Sequence, residues 1–148
     1  MKVFLAGAVS SADSKQLAKY GVYKNCVLDT LGNIDLTVPD DIWDYRNDCI
    51  KYNPDFTKLD VDKAMVKYDL DLVRQADLII CDLSQQSNGM GIELGVACSN
   101  NIEVIFFYEA GAYVSNMVTG AFSDSKFIEY KDLDELKNKL AFELKKRF

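Results

Sequence analysis

The chain alternates short apolar runs with longer segments in which apolar residues recur every three or four positions. The short runs predict buried strands and the longer segments predict amphipathic helices. Strands are predicted at residues 2–6, 34–38, 78–81, 102–108 and 127–130. Helices are predicted from 12 to about 31, with a break near Gly21, and at 60–75, 91–99 and 132–148.

Two segments fit neither pattern. Residues 40–52, which contain Trp43, predict an irregular, partly helical insertion, and residues 109–125 predict a loop around a small segment at 115–117. Strands separated by helices predict a parallel sheet with helices on both faces. Right-handed crossovers then favour a three-layer α/β fold, flavodoxin-like or Rossmann-like, with strand order 2-1-3-4-5. The loops after Ala6 and Cys81 then lie side by side at the switch point, where such sheets bind ligands.

Composition restricts the function classes. With 148 residues, 49% of them hydrophobic, the sequence predicts one compact domain spanning residues 1–148. A net charge of -6 disfavours a nucleic acid polymer or an anionic membrane as partner, because both require basic patches. No apolar run approaches the roughly 18 residues of a membrane span. The apolar start of the chain is too short for a signal peptide and is interpreted as the first strand.

Histidine is absent from the sequence. This excludes Ser-His-Asp and Cys-His chemistry and disfavours a zinc site. Proton transfer near neutral pH must therefore use a carboxylic acid with a shifted pKa, a Tyr, a Lys, a Cys or water. The four cysteines form no CxxC pair, and the apolar surroundings of Cys81 and Cys98 predict reduced core thiols in a cytoplasmic protein.

The most informative motif is S-N-G-M-G-I-E-L-G-V-A at residues 87–97, directly after a predicted strand. Gly89 and Gly91 allow a backbone to come close to a bound group. Glu93 lies where the strand gives way to a helix, at the sheet edge that binds ligands. A lone carboxylate there indicates a nucleophile or an electrostatic catalyst. The alternative is a first-turn helix acid favoured by the macrodipole.

This layout resembles the nucleoside 2-deoxyribosyltransferase family, including its nucleotide N-glycosidase branch. Four features carry the resemblance, which spans most of the chain and is least close at residues 20–57. They are K-V-F-L-A-G at 2–7, Y-D-L at 68–70 followed by Q-A-D-L-I-I at 75–80, the S-x-G-x-G-x-E-L-G-x-A block at 87–97, and S-N-M at 115–117.

The resemblance implies that Glu93 is a nucleophile. Its carboxylate would attack the anomeric carbon and displace the base, and a second base or water would resolve the glycosyl-enzyme ester. Asp69 would be the partner acid near a ring nitrogen of the base. We prefer Asp69 to Asp71 because Asp69 precedes Asp77 by eight positions, the family's spacing. Residues two apart on a helix face nearly opposite ways, so only one of them can reach the site.

The resemblance also implies a substrate-binding set, namely Phe4, Gly7, Ser87, Gly89, Gly91, Ser115 and Met117. Ser87 stands where transferases acting on free nucleosides tend to have Asp. A hydroxyl suits a 5'-phosphate, which a carboxylate would repel. Gly89 and Gly91 would each add a backbone amide, although no Arg adjoins these motifs.

Phe4 departs from the family pattern, which often has a Tyr whose hydroxyl holds the nucleophile. Either Glu93 is oriented in another way, or the missing hydroxyl leaves room for a ribose 2'-OH. The alternative for Phe4 is a buried strand aromatic. Trp43 and Tyr45 are weaker candidates for contact with the base.

The family lends Ser115 and Met117 to a neighbouring subunit, so the resemblance implies a homodimer or higher homo-oligomer with shared active sites. It implies a nucleoside or nucleotide substrate and no cofactor or metal. Two other functions stay open. One is a phosphoribohydrolase with a G-G-x-G-T-x-x-E motif, although residues 89–93 lack its Pro-Gly and Thr. The other is a catalytically silent nucleotide sensor.

Overall fold

The computed structural model describes residues 1–8 and 14–148, without the side chains of residues 14–16. Its strands are β1 (Lys2–Ala6), β2 (Asp35–Thr37), β3 (Leu78–Asp82), β4 (Glu103–Glu109) and β5 (Lys126–Tyr130). Its helices are α1 (Ser14–Leu31), α2 (Pro39–Tyr52), α3 (Lys58–Gln75), α4 (Asn88–Ser99), α5 (Asn116–Ala121) and α6 (Leu133–Arg147).

The strands form one parallel sheet in the order β2-β1-β3-β4-β5, which confirms the predicted fold class. Ala6 pairs with Cys81, so β1 and β3 end side by side. The chain leaves these two strands in opposite directions along the sheet, which makes this edge the switch point.

Two apolar layers cover the sheet. On one face, α1 and α6 pack through residues such as Val27 and Leu140. On the other face, α3 and α4 pack through residues such as Val73 and Leu94. All five residues of β3 are buried, because β3 is central and covered on both sides.

Several boundaries differ from the sequence prediction. Helix α1 continues through Gly21 and stops before Gly32, whose φ of +68° suits glycine at a helix C-terminus. Residues 39–52 form the regular helix α2 rather than an irregular insertion. Pro39 occupies its first turn, and Asp41 accepts a hydrogen bond from the N–H of Val38 at 2.8 Å.

Two further differences affect the site. Helix α4 begins at Asn88 instead of residue 91, so Gly89 lies inside its first turn. The predicted loop at 109–125 contains the short helix α5. Cys81 is buried as predicted, but the prediction for Cys98 is wrong because its side chain is exposed beside α5. None of the helices in the described ranges is long and apolar enough to cross a membrane.

Candidate functional site

Glu93 is held by α4 on the side of the helix that faces the sheet and α3. Met90 and Ala97, three positions before it and four after it, are both buried in the core. Positions spaced three and four apart share one helix face, so the side chain of Glu93 points into the same layer. The carboxyl group is therefore withdrawn from bulk water, although the residue as a whole is only half-buried.

Asp69 comes from α3 and meets Glu93 across the interface between the two helices. Val73, four positions later on the same face, is fully buried, which turns Asp69 inward. The carboxyl groups of Asp69 and Glu93 are close enough for each to influence the pKa of the other. Asp71 lies on the outside of α3, where it pairs with Lys67 at 2.6 Å and Arg74 at 3.0 Å.

Both carboxyl groups of this pair have raised pKa values. Burial is the main cause for each, and the Asp69 carboxylate further raises the pKa of Glu93, to about 8. In the part of the chain that the structure describes, no Lys or Arg contributes to either shift. Within the described ranges, the pair therefore lacks the cation that usually accompanies buried carboxylates.

The surroundings of the pair favour a protonated carboxyl group. Oδ1 of Asp69 is buried and finds no N–H or O–H donor in the described residues. The Asp69 carboxylate raises the pKa of Glu93 and so favours the protonated form of Glu93.

A large cleft lies on the opposite side of α4, between α4 and α5. Its volume is about 730 Å³, within the usual range for small-molecule sites. Ser87, Gly91, Ser115 and Met117 all line it, whereas Glu93 does not. The structure thus divides the predicted site residues of one chain between two sides of α4.

Ser87 is the N-cap of α4, where its Oγ accepts a hydrogen bond from the N–H of Met90 at 3.4 Å. Its hydroxyl proton remains available for donation. The prediction that Gly91 offers a backbone amide needs correction, since that N–H donates to the carbonyl of Ser87 at 3.1 Å. The N–H of Gly89, in the first turn, has no such partner among the described residues.

Phe4 and Gly7 lie on β1 and just after it. Phe4 is buried in the apolar layer beneath α3 and α4, in the place of an ordinary strand aromatic. Gly7 lies between Tyr23 and Asp82. A Cβ there would be 3.4 Å from the hydroxyl of Tyr23 and 3.5 Å from Cβ of Asp82. These are ordinary contacts, so space alone does not require glycine.

The aromatic residues of α2 lie outside the cleft between α4 and α5. Tyr45 stacks on Tyr68 of α3, with ring centroids 4.0 Å apart. Trp43 is exposed and contacts the guanidinium of Arg46, 5.6 Å from the ring centre. Tyr45 thus contacts Tyr68, the residue before Asp69 in the sequence, whereas the side chain of Trp43 is turned to solvent.

Sequence reasoning missed one polar cluster at the carboxyl edge of the sheet, formed by Lys19, Asp82, Ser84, Glu109 and Tyr130. Asp82 directly follows the apolar run of β3, which was an available signal. Lys19 gave none, because it lies within an ordinary helical pattern. Across residues 1–8 and 14–148, no group of three or more acidic or cysteine side chains is arranged to hold a metal ion.

Comparisons with known proteins support the family resemblance. No family model matches the chain. Over 68 residues, 45% of this chain, it is 35% identical to human 5-hydroxymethyl-dUMP N-hydrolase, covering 39% of that protein. Over 77 residues, 51% of this chain, it is 36% identical to a protein of Syntrophotalea carbinolica named as a 2'-deoxynucleoside 5'-phosphate N-hydrolase, covering 54% of it. The matches thus span about half the length of these relatives or less.

Solved structures share the whole fold. A conserved protein from Enterococcus faecalis superposes with a TM-score of 0.74 at 17% identity, covering 100% of this chain and 99% of that one. A 2-deoxyribosyltransferase from Bacillus psychrosaccharolyticus superposes with a TM-score of 0.64 at 18% identity, covering 93% of this chain and 91% of that one. A CMP N-glycosidase from Clostridium botulinum superposes with a TM-score of 0.61 at 19% identity, covering 96% of this chain and 98% of that one. These values establish the fold, and the relatives' names confirm the resemblance that the motifs indicated.

Proposed function

We propose that this protein cleaves the N-glycosidic bond of nucleosides or nucleoside 5'-monophosphates. Glu93 is the nucleophile and Asp69 the partner acid. The observation that carries the proposal is the buried carboxyl pair between α3 and α4, whose pKa values are both raised with no cation contributing among the described residues. Retaining glycosidases require such a pair, in which one carboxyl group attacks and the other handles the proton.

The similar proteins support hydrolysis of monophosphates. Both curated relatives are named for N-hydrolysis of 2'-deoxynucleotides, one of them specifically of 5-hydroxymethyl-dUMP. Their similarity to this chain covers only part of their length, so their substrates enter as candidates. Hydrolysis and base transfer share the first chemical step, and they differ in what enters the pocket afterwards.

The first step begins with a proton transfer inside the pair. The proton of Glu93 moves to Asp69, which leaves the Glu93 carboxylate free to attack. A bond forms between a carboxylate oxygen of Glu93 and C1' of the sugar, and the bond between C1' and the base nitrogen breaks. Asp69 gives its proton to a ring nitrogen of the departing base, which leaves neutral.

The second step resolves the glycosyl ester. Water attacks C1' and Asp69, now ionised, accepts its proton, while the C1'–oxygen bond to Glu93 breaks. The products are a free sugar or sugar phosphate, and the pair regains one proton. If a second base attacks instead, the same steps give a new nucleoside. Burial of the pair favours both steps, because electrostatic interactions are stronger away from water.

The 5' group of the substrate is assigned to Ser87. Its hydroxyl retains a proton to donate, and the N–H of Gly89, which has no backbone partner among the described residues, lies in the first turn at the positive end of α4. An anionic 5'-phosphate suits this end better than a neutral hydroxyl. Ser87→Asp should therefore weaken the use of monophosphates more than that of nucleosides, by about 1–3 kcal/mol.

The sugar preference is assigned to Phe4. Its buried ring lacks the hydroxyl with which a family tyrosine would hold the nucleophile and crowd a 2'-OH. Phe4→Tyr should raise the preference for deoxyribose over ribose, by about 1–3 kcal/mol. The human and Syntrophotalea carbinolica proteins are named for deoxynucleotides, so ribonucleotide cleavage by this chain would distinguish it from those two proteins. The structural neighbour from Clostridium botulinum is named for CMP, a ribonucleotide.

Assembly is the third part of the proposal. The side chain of Met117 is 81% exposed, and Ile92, beside Glu93 on α4, is 57% exposed. We propose that the segment from Ser115 to Met117 completes the site of a neighbouring copy, in a dimer or larger assembly. Mixing Glu93→Ala and Met117→Ala proteins should then restore activity through hybrid sites. A fully active monomer in sedimentation experiments would contradict this assembly.

One assay tests the function directly. The purified protein is incubated with ribo- and deoxyribonucleosides and their 5'-monophosphates, with and without a second free base, and products are separated by chromatography. Release of free base from monophosphates supports hydrolysis. Exchange on free deoxynucleosides, with monophosphates ignored, would make it a transferase. Binding without any cleavage would indicate a sensor and overturn the proposal.

A further inference from the structure

A second buried polar cluster lies at the carboxyl edge of the sheet, on the face opposite Asp69 and Glu93. Lys19 of α1 is 5% exposed and Asp82, the last residue of β3, is 4% exposed. Nζ of Lys19 lies 3.1 Å from Oε1 of Glu109 and 3.8 Å from Oδ2 of Asp82. It also lies over the ring of Tyr130, 5.9 Å from its centre.

This cluster fastens the start of the loop at residues 83–87, which joins β3 to α4. The N–H of Ser84 donates to Oδ1 of Asp82 at 2.8 Å. Oγ of Ser84 accepts a hydrogen bond from the N–H of Glu109 at 3.1 Å and pairs with the hydroxyl of Tyr130 at 3.4 Å. The beginning of the loop is therefore attached to the ends of three strands, β3, β4 and β5.

Lys19 supplies the charge that lets this arrangement form. Asp82 and Glu109 carry like charges near one another, and Asp82 is almost completely buried. Without a cation the two carboxylates would repel each other, and Asp82 would be an unpaired charge in a low dielectric. Glu109 has a side chain that is 44% exposed and could turn to solvent, which would move the end of β4 away from Ser84.

The other end of the loop is Ser87, to which the substrate's 5' group is assigned. Only five residues, 83–87, separate β3 from α4, so a displacement of Ser84 is transmitted to Ser87. Glu93 is less dependent on the loop, because the packing of α4 on the sheet and on α3 holds it.

We infer that Lys19 is a positioning residue that, through Asp82 and Glu109, fixes the loop at residues 83–87 and so places the Ser87 hydroxyl for the substrate's 5' group. The inference rests on the proposed function for the identity of that group. The effect of Lys19 on the loop itself is independent of any activity.

Hydrogen exchange in the unliganded protein tests the structural half. Leu83, Ser84, Met90 and Gly91 all have hydrogen-bonded amides that report on the loop and the first turn of α4. Lys19→Met should accelerate their exchange by about 10-fold or more, with amides of α6 changed less than about 2-fold. Lys139→Met, which removes a surface lysine of α6 paired with Glu135, should leave exchange at residues 83–91 unchanged.

Glu109→Gln provides a second variant in case Lys19→Met does not fold. It removes the partly exposed partner of Lys19 and keeps the shape of the side chain. We expect a smaller acceleration of amide exchange in the same residues. The matched control is Glu129→Gln, on the neighbouring strand β5. Equal acceleration throughout the chain, or none at residues 83–91, would overturn the inference.

Kinetics test the functional half, with deoxyuridine 5'-monophosphate as substrate. Lys19→Met or Glu109→Gln should raise KM by about 5-fold or more and change kcat by less than about 2-fold, because binding at Ser87 is loosened and Glu93 is not. Equal loss of kcat in the folded variants would contradict the positioning of Ser87. If the wild-type protein shows no cleavage, the proposed function fails, and the exchange data still decide whether Lys19 fixes the loop.

Discussion

Two acidic pairs lie near the same edge of the sheet, on opposite faces, and they differ in what accompanies them. Asp82 and Glu109 share the ammonium of Lys19, and Asp82 also accepts the N–H of Ser84. Asp69 and Glu93 influence each other's pKa. Burial raises the pKa of Asp82, and the Ser84 N–H and Lys19 oppose that rise. Among the described residues, no cation opposes the rise in the pKa of Glu93.

The comparison shows that burial alone does not mark a catalytic carboxylate. A cation and fixed donors beside a buried acid oppose the rise that burial causes in its pKa, and such an ion pair serves the structure. A buried pair without a cation keeps a proton near neutral pH, which is what acid and nucleophile chemistry requires. Lys19 is also buried and paired with opposite charges. Burial would lower its pKa, but Asp82 and hydrogen bonds to Tyr130 and Glu109 raise it.

The largest expected effect follows from the nucleophile role that we propose for Glu93. Glu93→Gln should lower kcat by at least about 100-fold, because it removes the attacking group and leaves the packing of α4 intact. Glu109→Gln, the same change in the other pair, should keep kcat within about 2-fold. Steady-state kinetics on both variants check this.

Retention of more than about a tenth of the wild-type turnover by Glu93→Gln would exclude a nucleophile role. Trapping gives an independent readout, since a 2'-fluoro sugar analogue should leave an adduct on Glu93 that mass spectrometry can locate. An adduct on another residue would move the nucleophile there.

The next largest effect is on the stability of the protein, through the pair of Asp82 and Glu109 that Lys19 joins. Lys19→Met should lower the free energy of unfolding by about 3 kcal/mol, because it leaves Asp82 buried and unpaired. Urea denaturation of the wild type, Lys19→Met and Lys139→Met would measure the difference. A loss below about 1 kcal/mol would mean that Lys19 is not needed to neutralise the cluster.

The pH dependence of protein stability should reveal the raised pKa of Glu93 in its pair with Asp69. The pKa of Glu93 is about 8 in the folded protein against an ordinary value of 4.5. The folded state therefore holds this proton more tightly than the unfolded state, so stability is lost as pH rises from about 4.5 to about 8. Glu93→Gln should remove that loss and therefore be more stable than the wild type at pH 8.

Unfolding free energies of the wild type and Glu93→Gln across this pH range are the relevant measurement. The difference between them should grow with pH and level off above about 8. A difference in unfolding free energy that stays constant with pH would mean that Glu93 has an ordinary pKa in the folded protein. The proposed proton transfer between Glu93 and Asp69 would then lose its support.

The smallest effect separates the two aspartates of α3. Asp69→Asn should lower the pKa of Glu93 toward its ordinary value, because it removes a negative charge that favours the protonated form. Asp71→Asn should leave that pKa unchanged, since Asp71 is exposed and paired with Lys67 and Arg74. Carbon-13 NMR titration of the Glu93 carboxyl in the three proteins measures this, and equal shifts in both variants would remove Asp69 from the pair.

Much of the fold could be predicted because β3 and its neighbours are continuous apolar runs, a pattern typical of a sheet covered on both faces. Strand order followed from the handedness of the crossovers. Helix α2 was mistaken for an irregular insertion because Asp41 and Pro39 start it, and their capping geometry becomes visible only when the backbone is known. Helix α4 starts at Asn88 because Ser87 caps it, which moved Gly91 into the hydrogen-bonded helix.

The sequence by itself determined the order of the strands, the edge at which the site lies, and the choice of Asp69 over Asp71 as the candidate, through the spacing of the resembled motif. Only the tertiary structure decided that Asp69 and Glu93 come together with raised pKa values, that Ser87 and Met117 line a cleft that Glu93 does not, and that Lys19 joins Asp82 and Glu109. The physical reason is distance along the chain. Local patterns fix helices and strands, but pKa values and ion pairs depend on groups that are far apart in sequence and adjacent only after packing.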